Sequence, residues 1–145
     1  MEKQNKKTLI WANIIMIVMI VIHDTDHVRQ ASCWDYTIPL SVWLVNISVY
    51  TPSLIALFLI SKNKNSAAIA TVINGLLVAA AFAEVHLWRP TFPVWGIWNS
   101  NFFKLGADSI SWTVLAVTIF VGVGVSLTGN YVRGRISVME KLNHE

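Results

Sequence analysis

Four apolar stretches, at about residues 8–31, 38–60, 66–88 and 109–130, occupy most of this 145-residue chain. Each is near the ~20 residues that a helix needs to cross the ~30 Å hydrocarbon core of a bilayer. A helix is the simplest way to satisfy every backbone group where no water is present. Hydrophobic residues make up 54% of the sequence and charged residues only 13%, and the charges collect at the ends of the stretches. This places the chain in the membrane class rather than the soluble globular class. The expected fold is all-α: an integral membrane protein, a four-transmembrane-helix up-down bundle in a single domain over residues 1–145. A cleaved secretory leader is not expected, because the run after Lys3, Lys6 and Lys7 leads into polar residues and not into a small-x-small cleavage site.

The basic residues set an orientation. Lys3, Lys6, Lys7, Lys62, Lys64, Arg133, Arg135 and Lys141 fall at one end of the expected bundle, against Arg29, Arg89 and Lys104 at the other. Such an asymmetry puts both termini in the cytoplasm and locates the protein in the cell membrane. Asp24, Asp26, Asp35, Glu84, Asp108 and every tryptophan except Trp11 then lie towards the extracytoplasmic side. The net charge of +3 is not arranged as an interleaved basic and aromatic stripe, so no nucleic-acid partner is expected. The expected partners are the lipid bilayer and, beyond it, other membrane-protein subunits or further copies of the chain. Residues 89–108 form a longer outer loop whose Phe92, Trp95, Trp98, Phe102 and Phe103 suit either an interfacial anchor or a lid over the helix ends.

The first stretch carries its own interruption. Leu9–Ile22 spans only about 21 Å as a helix before His23-Asp24-Thr25-Asp26-His27 begins, so the polar block is expected within the membrane. Ionisable groups there need partners, a cation or a water-filled cavity. His23 and His27 are one helical turn apart on one face, a two-histidine metal-ligand spacing, and Asp26 lies about 60° from His23. Asp26 can instead pair with Arg29 at i,i+3, leaving Asp24 to accept a donor from another helix.

A second cluster, Glu84-Val85-His86-Leu87-Trp88-Arg89-Pro90, ends the third stretch on the same side. Glu84 and His86 are about 200° apart on a helix, so one face cannot present both. His86 is the favoured partner, completing a three-histidine set with His23 and His27. Asp26 is the candidate oxygen ligand, and Glu84 or Asp24 the candidate base. The converging C-terminal ends of the first and third helices also favour positive charge there.

Other features have quieter readings. Asp108 before Ser109-Ile110-Ser111 has the pattern of an N-cap, and Asp35 that of a turn residue. Cys33, the only cysteine, excludes an internal disulfide and reads as a small core residue. His144 lies in the cytoplasmic tail. Gly122, Gly124 and Gly129 suit close helix packing. Asn46, Ser48, Tyr50, Thr51, Pro52 and Ser53 give the second stretch a polar stripe with a proline kink, and Asn74 marks the middle of the third. These either hydrate a cavity or bond helix to helix.

The leading functional expectation is therefore a small membrane metalloprotein holding a divalent zinc, copper or iron ion through His23, His27 and His86 with Asp26. It would act as a hydrolase or oxidase of a lipid-like or small substrate. A bis-histidine haem b protein and a proton or ion pathway are further alternatives. The rival of another class is a non-catalytic accessory subunit of a larger membrane complex, in which the cluster is an interhelical network.

Overall fold

The computed structural model describes residues 1–35, 37–88 and 102–142. Among these residues six helices follow in order: α1 (Lys3–Cys33), α2 (Leu40–Val49), α3 (Thr51–Ser61), α4 (Ser66–Leu87), the short α5 (Phe102–Leu105) and α6 (Ser109–Leu142). Among the described residues there is no strand. α1, the α2–α3 pair, α4 and α6 are each long and apolar enough to cross a membrane.

The polar block does not break α1. Lys3–Cys33 is one helix of 31 residues, ending at Trp34 and followed by Asp35, whose φ of 51° cannot continue a right-handed helix. Aspartate tolerates this left-handed conformation better than most residues. The second stretch is divided at Tyr50, since Pro52 has no N–H with which to continue the ladder. α6 runs twelve residues past the end of the apolar stretch at 130, to Leu142. Arg133, Arg135, Met139, Glu140, Lys141 and Leu142 favour its continuation, Val132 is fully buried, and Arg135 pairs with Glu2 at 3.1 Å.

Contacts at the two ends fix the topology. At one end, Lys6 donates to Asn63 (3.1 Å), Arg135 to Glu2, and Asn65 to Glu140 (2.8 Å), so the N-terminal end of α1, the α3–α4 turn and the C-terminal part of α6 lie together. At the other end Arg29 of α1 meets Asp108 at the start of α6.

Two apolar clusters form the core. Leu9, Ile60, Ala67, Ala68 and Val132 gather at the end carrying the α3–α4 turn. Met16, Ile20, Val78, Phe82, Phe102 and Leu115 belong to the larger cluster. A neutral polar network joins α1, α3 and α4. Asn13 donates to Thr71, and Asn74 donates to Asn13 and Ser53, each at 2.9 Å. These are helix-to-helix bonds.

α4 and α6 approach closely because glycine faces glycine. A Cβ on Gly75 would run into the Gly122 carbonyl oxygen, and one on Gly122 would lie 2.9 Å from the Gly75 carbonyl oxygen. Gly129 is equally confined, 2.8 Å from the Val72 nitrogen. Gly124 is not part of this seam, since a Cβ there meets nothing within 4 Å. Gly75→Ala is accordingly expected to lower the thermal unfolding temperature of the solubilised protein, at an overpacking cost of about 1–3 kcal/mol. Gly124→Ala should leave it unchanged or raise it, by ~0.5–1 kcal/mol in helix propensity. Equal effects at the two positions in thermal unfolding would contradict this seam.

Candidate metal centre

His23, His27 and His86 come together in the interior, with only 2%, 6% and 4% of their surfaces exposed. The i,i+4 spacing puts the first two on one face of α1, and α4 presents His86 towards them. One ligand atom from each lies within 4.8 Å of the others. The His23 and His86 Nε2 atoms are 3.3 Å apart. Two nitrogens bound at ~2.0–2.1 Å to a tetrahedral zinc stand ~3.3 Å from each other, so the separation of this pair matches that of two zinc ligands. The third ligand is at most ~1.5 Å farther than tetrahedral spacing requires. The cluster could hold a metal ion.

The hydrogen bonds around the rings determine which nitrogens face inward. His86 Nδ1 is 2.9 Å from the Phe82 carbonyl oxygen, which can only accept. In the neutral ring Nδ1–H therefore donates, and Nε2 is left with a lone pair. His23 Nδ1 is 3.3 Å from Thr118 Oγ1, while the Thr118 hydroxyl donates to the Val114 carbonyl at 2.7 Å. With that proton committed, His23 Nδ1–H is the donor to Thr118, and its Nε2 also presents a lone pair. Two lone pairs facing at 3.3 Å are the arrangement that a cation relieves. The alternative is for Thr118 to turn its proton to His23 Nδ1, so that His23 Nε2–H donates to His86. Thr118 thus selects between a metal-ready pair and a self-satisfied chain, the role that outer partners play for ligating histidines.

Aromatic rings close the cluster. Phe82 meets His23 edge-on with centroids 4.3 Å apart, and Phe102 meets His86 at 4.8 Å. Phe102 is itself 2% exposed and leans on Trp112 at 5.4 Å. This part of the outer loop covers the histidines. Phe92, Trp95 and Trp98, assigned to the same loop in the sequence, lie outside the described residues, as does His144.

The carboxylates are placed differently from the histidines. Both Asp26 oxygens are engaged, one by Arg29 Nε at 2.7 Å and the other by Gln30 Nε2 at 2.8 Å. Arg29 extends to both Asp108 oxygens at 2.7 and 2.9 Å, and its Nη2 and Gln30 Nε2 both donate to Ser111. Asp108 also caps α6, accepting from the Ser111 backbone N–H at 2.9 Å. The Arg29 guanidinium, helped by that N–H, holds the Asp108 carboxyl well below the ordinary carboxylate range. Asp24 accepts from the Tyr50 hydroxyl at 2.6 Å and so ties α1 to the joint between α2 and α3. Glu84 is exposed. The group of close ligand atoms includes none of Asp24, Asp26 and Glu84. Cys33 is exposed at the end of α1 and is not a core residue.

Sequence reasoning did not single out Thr118, Phe82, Gln30 or Ser111. A threonine inside an apolar stretch most often bonds the carbonyl four residues back, as Thr118 does, which hides its second contact. No family model, no curated protein and no solved structure matches the chain.

Thr118→Val is expected to weaken zinc binding by about 10–100-fold with the helical content unchanged, and Thr118→Ser to restore it. Titration with zinc in detergent checks this. Equal affinity in wild type and Thr118→Val would remove Thr118 from the site.

Proposed function

We propose that this chain is a multi-pass membrane protein that binds a divalent transition-metal ion through His23, His27 and His86. The observation that carries the reading is the His23–His86 pair, whose Nε2 atoms face each other at 3.3 Å with both Nδ1 atoms engaged elsewhere. Three imidazoles suit zinc, copper or iron and do not suit calcium. Three protein ligands leave one position for a substrate or water, the pattern of catalytic rather than structural zinc sites. A bound zinc would supply hydrolysis by lowering the pKa of water to ~7, and copper or iron would supply oxidation. The residues of the chain exclude bulk water through Phe82 and Phe102, orient His23 and His86 through Thr118 and the Phe82 carbonyl, and keep Asp26 neutralised by Arg29. With Asp24 on Tyr50 and Glu84 exposed, no base is assigned. Haem is the weaker alternative, because the three imidazoles and two phenylalanines pack ring against ring in the space that a macrocycle would need.

The membrane setting is supported by an inside-out distribution. Asn13, Thr71, Asn74 and Thr118 are 0% exposed, whereas Leu44, Phe58 and Phe120 are 60%, 59% and 74% exposed. So much exposed apolar surface calls for lipid or other subunits. With the basic end in the cytoplasm, both termini are inside and the histidines lie towards the outer face.

The rival reading, an accessory subunit held together by a polar network, is favoured by one observation. Asp26, Arg29 and Asp108 already satisfy one another without a metal. Elemental analysis of protein purified gently from membranes separates the two. Near-stoichiometric metal, lost in both His23→Ala and His86→Ala, is the expected result. A folded wild-type protein without metal supports the accessory subunit and overturns the metal site.

A further inference from the structure

Building on that metal site, we infer that the protein binds a neutral single-chain amphiphile with an oxygen acceptor at its head, which reaches His27 and His86 sideways between α2 and α4. A cleft of about 60 Å³ lies there. Val42, Val45 and Val49 of α2 face Ala81 and Val85 of α4 across it, and the buried His27 and His86 form its inner wall.

The cleft exists because α2 is held off the bundle. Val42 is the only buried residue of that helix. The break at Tyr50 and Pro52 lets α3 pack on α1 and α4 while α2 diverges, and the Asp24–Tyr50 hydrogen bond fixes the joint.

The cleft is lined almost entirely by apolar side chains, with one exception besides the histidines. Asn46 lines it, and its Nδ2 is buried without a hydrogen-bond partner among the described residues. A buried amide donor left unanswered destabilises the fold, so an acceptor is the natural occupant. The apolar walls exclude a charged head, which would lose its hydration without compensation. An alcohol or carbonyl oxygen fits. Size narrows the choice further. The cleft, at about 60 Å³, is several times the ~10–15 Å³ that holds one water but well below the ~150 Å³ of a cavity that holds benzene. It takes a head and the first few carbons, not a ring, and the remaining chain passes out through the open side.

The test uses wild-type protein in phosphatidylcholine nanodiscs and 1-dodecanol carrying a chain diazirine. Saturable photolabelling of cleft-lining residues on α2 and α4 is expected, competed by unlabelled 1-dodecanol and not by dodecane. Val45→Trp, which fills the cleft, should reduce labelling at least tenfold, and Asn46→Leu should weaken competition by 1-dodecanol about fivefold. If Val45→Trp does not fold, the contrast between dodecanol and dodecane and the Asn46→Leu variant decide the matter. Labelling that does not saturate and spreads evenly over exposed residues such as Leu44 and Phe58 would overturn the inference. Elemental analysis of the same samples keeps the two proposals apart. Bound metal without saturable labelling rejects the amphiphile alone, and saturable labelling without metal rejects the metal site while retaining the cleft.

Discussion

Backbone contact between α4 and α6 at Gly75 and Gly122 sets the geometry on which the rest of the bundle depends. Without side chains at these positions, the two helices approach until a carbonyl of each lies where a Cβ of the other would be. Thr118 stands one turn before Gly122, on the stretch of α6 that this contact draws inward, and reaches His23 of α1. His86 stands about three turns beyond Gly75 on α4 and reaches the same ring. Three helices therefore meet at one imidazole. A bulkier residue in the seam would move Thr118 and His86 apart together.

Around this seam the bundle separates its polar groups by kind. The neutral amides and hydroxyls of Asn13, Thr71, Asn74 and Ser53 bond one another in the half carrying the α3–α4 turn. The charged groups Asp26, Arg29 and Asp108 form a layer at the other end, with Gln30 and Ser111 completing it. The histidines lie inward of that layer, beside Met16, Ile20, Val78 and Phe82, which divide them from the amide network. This apolar interval gives no support to a continuous proton or ion path. By engaging both oxygens of Asp26, Arg29 and Gln30 leave the three imidazoles, among the described residues, as the ligand-type groups facing one another in the cluster.

Much of this was legible in the sequence, for identifiable reasons. Long apolar stretches announce helices directly, and the i,i+4 spacing of His23 and His27 fixes their shared face whatever the tertiary structure. The 200° between Glu84 and His86 separates them by the same geometry, and the structure has His86 inside and Glu84 exposed. Asp108 was readable as a cap because capping is local. What escaped was non-local or depended on exposure. The Arg29–Asp108 pair joins positions 79 residues apart. The pairing of Gly75 with Gly122, the isolation of Gly124 and the second contact of Thr118 all require knowing how α4 and α6 are rotated. The continuation of α6 to Leu142 escaped for another reason: apolarity marks only the part suited to a bilayer, while the burial of Val132 and the Glu2–Arg135 contact hold the segment beyond it against the bundle. Cys33 read as core because thiols usually are, and the end of α1 leaves it outside.

The central claim is that three imidazoles, and no carboxylate or thiol, surround the ion. X-ray absorption at the metal edge of protein purified from membranes tests it most directly. The expected first shell has three imidazole nitrogens at ~2.0–2.1 Å and at most one further light atom. A shell of oxygens alone, a sulfur at ~2.3 Å, or the absence of any metal edge would contradict it.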